Sequence, residues 1–557
     1  MQRSVRLRPW QKEALERFHR ASATDFLAVA TPGAGKTTFA LTAAVQHLHD
    51  HPRHRVLVVA PTAHLKLQWA RAAGRLGLHL EPHWSTRDGR LPVDMHGIVT
   101  TYQQVSMQSR AVRALARDAF VIFDELHHAG DDRAWGDGIR EAFDGASRRL
   151  ALSGTPFRSD TTAIPFVHYD DFGEAHADYE YGYGDALRDG GVVRPVYFPR
   201  IDGEMEWVGP DGEHYHHNFD DTLDKARAGQ RLRTALSLSG EWLPAVLDQA
   251  HAQLQAIRTT QAHAGGLVIA MDQDHARGIV TLMKRRYGIT PTLALSDDPS
   301  ASDRIEHFAE GSMPWLVAVR MVSEGVDIPR LRVGVFATNT STELFFRQAA
   351  GRLVRWTRGM RHQKAFFFIP DDPRLRTYAA QIADQRRHSL RRKDDDSDAD
   401  RFASGELDEP PTEGHPEEAQ LSLFSVISAV ALGTPHAPEW LTDEETIELD
   451  DHELAPAEAD DPNLTIALLP PPLPGGGSGG SGAGGLAIEH RTRREHKAFL
   501  RSENADRARD IARASGLTHA QVNGELNRLS GVGKVSEATV EQLESRLAHG
   551  DRWLSRV

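Results

Sequence analysis

The feature that most constrains this chain is a glycine-rich stretch, Ala30-Thr-Pro-Gly-Ala-Gly-Lys-Thr-Thr38, which lies between an apolar run and a helical pattern. Its glycines let the backbone curl so that several N–H groups face one anion. The N-terminus of the following helix adds positive partial charge. Lys36 can then reach the outer phosphates of a nucleotide, and the Thr37 hydroxyl can bind Mg²⁺. The usual pattern has Gly five places before Gly35, where this chain has Ala30. We therefore predict a phosphate-binding loop rather than a glycine-rich turn without a ligand.

A second motif, Val121-Ile-Phe-Asp-Glu-Leu-His-His128, places two acids at the end of an apolar strand. Asp124 is suited to holding Mg²⁺ and Glu125 to polarising an attacking water, because phosphoryl transfer depends on positioning and charge neutralisation. Solvated acids at strand ends are common, so this motif alone indicates little. Asp124 follows Lys36 by 88 residues, and this combination with the glycine-rich stretch makes the acidic motif a strong indication of phosphoryl-transfer chemistry.

A third motif, Phe345-Phe-Arg-Gln-Ala-Ala-Gly-Arg-Leu-Val-Arg-Trp356, carries Gln348, Arg352 and Arg355. Their spacing of three or four residues predicts that they share one helix face. Arginines presented from a second lobe can act as fingers on a γ-phosphate. The alternative is a basic amphipathic helix on the surface. Gly351 argues against it, because a helical glycine costs about 1 kcal/mol relative to alanine unless a close approach requires it.

Apolar runs alternate with helical patterns along residues 1–195, and a second series of such runs begins at Gly265. This alternation predicts an α/β fold with two tandem parallel-sheet lobes. We expect these boundaries: a first lobe at 1–195, a mostly helical connection at 196–263, a second lobe at 264–390, an acidic and largely disordered segment at 391–474 with an apolar island at Leu421–Leu432, a Gly/Ser linker at 475–485, and a small helical domain at 486–557.

Charge and composition narrow the possible functions. The net charge is −13, but residues 394–462 contain 22 Asp or Glu and one Arg, so the rest of the chain is mildly basic and suited to phosphate backbones. The chain has no cysteine, which excludes disulfides, cysteine-ligated zinc and thiolate iron–sulfur clusters. No apolar run approaches the ~20 residues of a membrane span. We expect no membrane partner and a cytoplasmic location.

Taken in order, these motifs resemble those of superfamily 2 DExH-type helicases and translocases, in particular the branch of type III restriction motor subunits and DNA-repair helicases. The resemblance covers residues 1 to about 385. Leu7–Gln11 resembles its adenine-reading segment, and Ala60–Thr62 and Val99–Tyr102 resemble its first nucleic-acid motifs. Four further segments match in order: Asp124–His127 as the DExH box, Ser153–Arg158 as the coupling motif, Met321–Pro329 as the second-lobe motif that contacts nucleotide and strand, and Gln348–Arg355 as the arginine-finger helix.

The resemblance implies two RecA-like lobes with ATP and Mg²⁺ between them. It implies catalytic roles for Lys36, Asp124, Glu125, Gln348, Arg352 and Arg355, with Mg²⁺ held by Thr37 and Asp124. Nucleotide contacts are expected from Gln11, Thr31, Gly33, Ala34, Gly35, Lys36, Thr37, Thr38, Gly325 and Asp327. Coupling is expected from His127, Ser153 and Thr155. Backbone contacts to nucleic acid are expected from Thr62, Thr100, Thr101, Arg158 and Ser323, each of which is equally well explained as a loop or cap residue.

The C-terminal region leaves alternatives open. A helix over Thr518–Leu529, preceded by another helix and by Gly516 at the corner, resembles a helix-turn-helix. The other possibility is a small bundle that docks on a protein partner through residues 486–557. Arg491, Arg493, Arg494 and Lys497 are either phosphate contacts or a solvated helix face. His214–His217 has no accompanying zinc ligands, so metal binding there is disfavoured.

The sequence therefore predicts an ATP-dependent nucleic-acid translocase or helicase, with DNA favoured over RNA. Two other functions remain open at this stage. One is the motor subunit of a restriction or phage-defence complex, in which a partner supplies the cut. The other is an ATP-switched clamp that binds nucleic acid without unwinding it.

Overall fold

The computed structural model describes residues 3–85, 91–126, 133–154, 164–169, 175–295, 298, 300–319, 328–357, 359–360, 363–391, 425–431, 464–473 and 493–556. Six predicted site residues lie outside these ranges: His127, Thr155, Arg158, Ser323, Gly325 and Asp327. The linker at 475–485 also lies outside them. Two compact units divide the chain, one of residues 1–28, 35–179 and 461–557 and one of residues 29–34 and 180–460.

The first sheet is built from strands of the N-terminal third of the chain. These strands are β2 (Asp25–Ala30), β3 (Val56–Ala60), β4 (Leu80–Glu81), β5 (Gly97–Thr101), β6 (Phe120–Asp124), β7 (Arg148–Ser153) and β8 (Tyr179–Tyr181), in the order β4-β5-β3-β6-β7-β2-β8. β3 pairs in parallel with β5 and β6, and β6 pairs in parallel with β7. Every residue of β3 and β6 is buried, as expected of a parallel sheet covered on both faces.

Helices connect these strands, as the sequence predicts. They are α1 (Pro9–Arg20), α2 (Lys36–Asp50), α3 (Ala63–Arg75), α4 (Tyr102–Met107), α5 (Ser109–Ala116), α6 (Arg133–Phe143) and α7 (Tyr183–Asp189). A short strand, β1 (Arg3–Arg6), precedes α1.

The second sheet belongs to the second unit and is also parallel. Its strands are β9 (Val196–Tyr197), β10 (Arg200–Ile201), β13 (Gly265–Ala270), β14 (Thr292–Ala294), β15 (Trp315–Val319), β16 (Leu331–Ala337) and β17 (Ala365–Pro370), in the order β10-β17-β16-β13-β15-β14 with β9 also on β17. Its helices are α10 (Gln273–Tyr287), α11 (Ala301–Glu310), α12 (Glu343–Gly351) and α13 (Pro373–Arg391). The α/β fold with two RecA-like lobes is confirmed.

The sequence predicts a mostly helical connection at 196–263, and this prediction is wrong. The connection contains helices α8 (Lys225–Ala235) and α9 (Trp242–Arg258), but β9 and β10 join the second sheet, and β11 (Gly203–Val208) and β12 (His214–Asn218) form an antiparallel pair. The reason is a period of two in β11, where Met205 and Trp207 are fully buried between more exposed neighbours.

Two parts of the segment predicted to be disordered are ordered strands. β18 (Ser425–Ala431) coincides with the predicted apolar island and pairs antiparallel with β11. β19 (Thr465–Leu468) pairs antiparallel with β1. Both segments form strands because they pair laterally with β11 and β1. Such long-range pairing is not visible in local composition.

The described part of the C-terminal domain contains three helices, α14 (Arg493–Ser515), α15 (His519–Ser530) and α16 (Val540–Leu554). The predicted capping by Thr518 is present, since its side chain accepts a hydrogen bond from the N–H of Gln521. Lys497 is not a phosphate contact: it is buried, and its Nζ lies 2.7 Å from Oδ1 of Asp94 in the first unit. Among the described residues, no helix is long and apolar enough to span a bilayer.

Candidate active site

The glycine-rich loop connects β2 to α2, as the sequence predicts. Gly33 and Gly35 have φ angles of +86° and +95°, in the left-handed region that glycine adopts without strain. Gly35 precedes Lys36, the first residue of α2, so the positive end of the α2 helix dipole lies at the loop. Thr31 and Ala34 are buried and hydrogen-bonded to each other through their backbones. The Thr37 and Thr38 side chains are partly exposed.

Gln11 lies directly against this loop in the first unit. It is only 3% exposed, its Nε2 donates to the carbonyl oxygen of Gly35 at 2.8 Å, and its Oε1 accepts from the N–H of Arg8 at 2.7 Å. A Cβ at Gly35 would lie 2.7 Å from Gln11 Nε2, so a side chain at this position would displace the Gln11 amide. The amide of Gln11 is thereby fixed in one orientation beside the glycine-rich loop.

Glu125 is held by two groups in the first unit. Its Oε1 lies 3.3 Å from Nζ of Lys36, and its Oε2 accepts from the N–H of Gly154 at 3.0 Å. Ser153, at the end of β7, is fully buried next to Gly154. The predicted coupling motif therefore reaches the acidic motif through a backbone N–H, a contact that the side chains of Ser153 and Thr155 did not suggest.

Asp124 is fixed by two aromatic residues that sequence reasoning did not include in the site. Trp69 on α3 donates its indole N–H to Oδ2 of Asp124 at 2.8 Å, and the hydroxyl of Tyr102 donates to the Asp124 carbonyl at 2.9 Å. All three residues are buried. The available signal was the tryptophan itself, because a buried indole N–H normally requires an acceptor.

The chemistry of these side chains fits Mg²⁺. Asp124 and Thr37 offer the oxygen ligands that Mg²⁺ prefers, and Mg²⁺ usually keeps waters and substrate phosphates as its other ligands. Among the described residues, no cluster of three or more His, Cys, Asp or Glu could hold a metal by itself.

The arginine motif of the second unit differs from its predicted form. Helix α12 ends at Gly351, Arg352 is its C-cap and Arg355 forms a β-bridge with Val193, so the three polar residues do not share one helix face. The helix ends because the next residues, Leu353 and Val354, are buried in the core. The Val354 carbonyl then accepts a hydrogen bond from the N–H of Arg194 instead of continuing the helix.

Two glycines make close approaches within the second unit. A Cβ at Gly351 would lie 2.7 Å from Cγ of Pro32, so the predicted close-approach role of Gly351 is confirmed. A Cβ at Gly33 would lie 2.9 Å from Nη1 of Arg355. The guanidinium of Arg355 thus lies against the first glycine of the glycine-rich loop.

The candidate nucleic-acid residues of the first unit have local partners. Thr62 and Thr101 are N-caps of α3 and α4, and each hydroxyl accepts a backbone N–H. Thr100 is 2% exposed, and its hydroxyl donates to Oε1 of Gln104 at 3.1 Å. Thr62 and Thr101 are partly exposed and stay candidates, whereas Thr100 is enclosed in this conformation.

Together, the loop after β2, the acids Asp124 and Glu125 at the end of β6 and the two parallel sheets are typical of the RecA-like class of P-loop folds. Residues 4–158 match the family model described as Type III restriction enzyme, res subunit. Over these residues the chain is similar to the res subunits of type III restriction enzymes.

Three relatives illustrate how far the similarity extends. The uncharacterized proteins Rv2917 of Mycobacterium tuberculosis and ML1624 of Mycobacterium leprae are 46% and 45% identical over 392 residues, which are 69% of this chain and 65% of each relative. The chain therefore spans a little under two thirds of their length. The ATP-dependent RNA helicase SrmB of Haemophilus influenzae is 32% identical over 117 residues, 18% of this chain and 27% of SrmB. A solved fragment of an HsdR subunit of a type I restriction enzyme from Vibrio vulnificus covers 67% of this chain and 65% of that fragment, with 16% identity and a TM-score of 0.47.

Proposed function

We propose that this chain is an ATP-dependent nucleic-acid motor that hydrolyses ATP with Mg²⁺ and translocates on DNA. The observation that carries the proposal is the arrangement of Lys36, Glu125 and Gly154, in which a partly buried lysine and a backbone N–H hold one carboxylate beside the glycine-rich loop. Such a group is suited to orienting water for attack on a phosphoryl group.

Each residue has a definite task in this proposal. Lys36 neutralises the outer phosphates, and their arrival frees Glu125 from its ion pair so that it can accept a proton from water. Asp124 and Thr37 hold Mg²⁺, which when bound neutralises charge on the phosphate oxygens. The loop N–H groups from Gly33 to Thr38 bind phosphate, as the left-handed glycines at 33 and 35 favour.

The arginines complete the proposed site. We assign Arg355 to the transferring phosphate because its guanidinium lies against Gly33. Arg352 and Gln348 are proposed to act with it, and Gln11 is proposed to contact the adenine base. Hydrolysis would then change the contact between Arg355 and the nucleotide. In motors of this kind, such a change couples ATP hydrolysis to a conformational step.

The nucleic-acid substrate is proposed to be DNA. The resemblance to restriction motors and DNA-repair helicases supports DNA, and the mildly basic character of the chain outside the acidic segment suits a phosphate backbone. Thr62 is proposed as a backbone contact because it lies at the N-terminus of α3, and helix N-termini bind phosphate. Thr101 is proposed for the same role because of its motif and its partial exposure. Arg158 and Ser323 are proposed for the same role on their motifs alone.

A second candidate is the motor subunit of a restriction or phage-defence complex, which the family match over residues 4–158 favours. In that case a methyltransferase or nuclease copurifies with the chain, and ATP-dependent cleavage requires that partner.

The test of motor function is displacement of a DNA triplex. A third strand bound to duplex DNA should be released only with ATP and Mg²⁺, and the Lys36→Ala variant should be inactive. Lys284→Ala, at an exposed position of α10, is the matched control and should match the wild type. ATP-dependent binding without displacement would instead identify a clamp, and equal displacement of RNA–DNA substrates would reject the preference for DNA.

A further inference from the structure

A strand from near the C-terminus pairs with the first strand of the chain. β1 and β19 form a two-stranded antiparallel sheet in which Val5 is opposite Ile466. Beyond β1, the N–H of Leu7 donates to the Leu464 carbonyl at 2.8 Å. Leu7, Leu464 and Leu468 are buried. Within the part of the chain that the structure describes, β19 is the strand partner of β1.

This pairing ends at Leu7, one residue before Arg8, whose backbone N–H orients the Gln11 side chain. Arg8 follows Leu7, is the N-cap of α1, and donates its backbone N–H to Oε1 of Gln11. The other end of the same amide donates to the Gly35 carbonyl. Any shift of the chain at Leu7 therefore moves the donor that fixes the Gln11 carboxamide.

The segment 464–471, which we term the strap, is also anchored at its other end. Nε2 of His49, near the end of α2, lies 2.9 Å from the Leu469 carbonyl. Nε2 of His96 lies 3.3 Å from the Pro471 carbonyl. The strap is thus fixed at both ends to the unit that carries Gln11 and Lys36.

We propose that the strap is a positioning element that sets base selectivity at the nucleotide site by holding Arg8 and, through it, Gln11. This inference rests on the proposed function. A carboxamide with a fixed donor and acceptor can match adenine, which presents an acceptor at N7 and a donor at N6, whereas guanine presents acceptors at both N7 and O6. A carboxamide free to turn loses that discrimination.

The strap should affect base selectivity more than turnover. Trp10 packs on Phe39 of α2 with ring centroids 5.8 Å apart, so α1 keeps a contact with α2 that does not involve β19. Glu125 contacts Lys36 and the N–H of Gly154, which are both outside the strap. Loosening it should therefore change the ratio of KM for ATP and GTP while kcat at saturating ATP stays nearly constant.

Two proline substitutions in β19 make a matched pair. Hydrogen-bonded and non-hydrogen-bonded pairs alternate in an antiparallel ladder. Since Leu7 and Leu464 are a hydrogen-bonded pair, Val5 and Ile466 are the next, and the N–H of Ile466 faces β1. Ile466→Pro removes that donor, whereas the N–H of exposed Ala467 points away from β1 and Ala467→Pro keeps the ladder.

The measurement is the ratio of kcat/KM for ATP to that for GTP in the full chain. We expect Ile466→Pro to lower this ratio about fivefold and Ala467→Pro to leave it unchanged. Gln11→Ala should lower it as well, and Ile466→Pro in the Gln11→Ala background should add no further loss, because both changes act through one amide. Additive losses, or a wild-type ratio in Ile466→Pro, would overturn the proposal.

Two further results keep the test decisive. If Ile466→Pro does not fold, Leu464→Ala replaces it, and a ratio equal to that of the wild type in this variant overturns the proposal. If the wild type hydrolyses ATP and GTP equally well, the strap has no selectivity to set and the proposal fails. A wild type that hydrolyses neither nucleotide instead contradicts the proposed function.

Discussion

Lys36 Nζ lies 3.3 Å from Oε1 of Glu125, and the other oxygen of that carboxylate accepts the N–H of Gly154. Two segments that are far apart in sequence, those of Lys36 and Gly154, therefore contact one acid. Glu125 also has a φ of +48°, a left-handed conformation that costs a non-glycine residue about 1 kcal/mol. Backbone strain of this kind clusters at functional sites. Together with the two contacts to its carboxylate, it makes Glu125 a candidate for a catalytic role.

Replacing Glu125 with Gln should abolish turnover without abolishing nucleotide binding. The amide is nearly isosteric but cannot accept a proton, and loss of a general base lowers kcat by about 100-fold or more. Steady-state hydrolysis and binding of a fluorescent ATP analogue measure the two effects separately. Glu310→Gln, at an exposed end of α11, is the control. Turnover within threefold of the wild type would remove Glu125 from its proposed role.

Trp69→Phe should weaken the use of Mg²⁺. The substitution keeps an aromatic ring but removes the indole N–H that holds Oδ2 of Asp124. Loss of a group that orients a metal ligand typically lowers metal affinity or activity by about 10- to 100-fold. We expect a rise of about tenfold in the Mg²⁺ concentration that gives half-maximal hydrolysis. Trp84→Phe offers a comparison at a buried indole outside the site. Equal effects in both variants would indicate a packing defect only.

Gly33→Ala should impair hydrolysis through Arg355. Its φ of +86° strains any side chain, and the new Cβ would also lie 2.9 Å from Arg355 Nη1. Gly212 is a matched control, because its φ is +82° and a Cβ there meets no atom within 4 Å. Both alanines should lower the free energy of unfolding by about 1 kcal/mol, but only Gly33→Ala should lower kcat, by about tenfold or more. Comparable kcat values in the two variants would contradict the role of Arg355.

Lys497→Met should destabilise the first unit. The ion pair of Lys497 with Asp94 is almost fully buried, and Asp94 Oδ2 also accepts the N–H of Val540. Removing one partner of a buried pair costs about 3 kcal/mol, because the other charge stays buried. The double variant with Asp94→Asn should lose less than the sum of the single losses. Lys534→Met, at an exposed pair with Glu537, should change stability by less than about 1 kcal/mol. Denaturant unfolding measures each, and equal losses at positions 497 and 534 would contradict the account.

The sequence was most informative where chemistry depends on neighbouring residues. The strand, glycine loop and helix around Lys36 were predictable because glycine placement and helix start are local properties. The same holds for Asp124 at a strand end and for Thr518 as a cap. Trp69 was not predictable as a partner of Asp124, because that hydrogen bond depends on how α3 packs on the sheet.

Long-range pairing and helix ends account for the errors. β18 and β19 are strands because β11 and β1 offer them partners more than 200 residues away. Periodicity extended the arginine helix to Arg355, but burial of Leu353 and Val354 ends it at Gly351. Lys497 was predicted to be a phosphate contact or part of a solvated helix face. Its buried partner Asp94 is distant in the sequence, so the ion pair could not be predicted.

The most direct test of the central claim is the rate of ATP hydrolysis with and without nucleic acid. Single-stranded, duplex and forked DNA, and RNA of matched length, would be added to the wild type and to Lys36→Ala at saturating ATP and Mg²⁺. We predict that DNA raises the wild-type rate at least tenfold and that Lys36→Ala shows no hydrolysis above background. Full hydrolysis without any polynucleotide, or wild-type activity in Lys36→Ala, would contradict a nucleic-acid motor powered at this site.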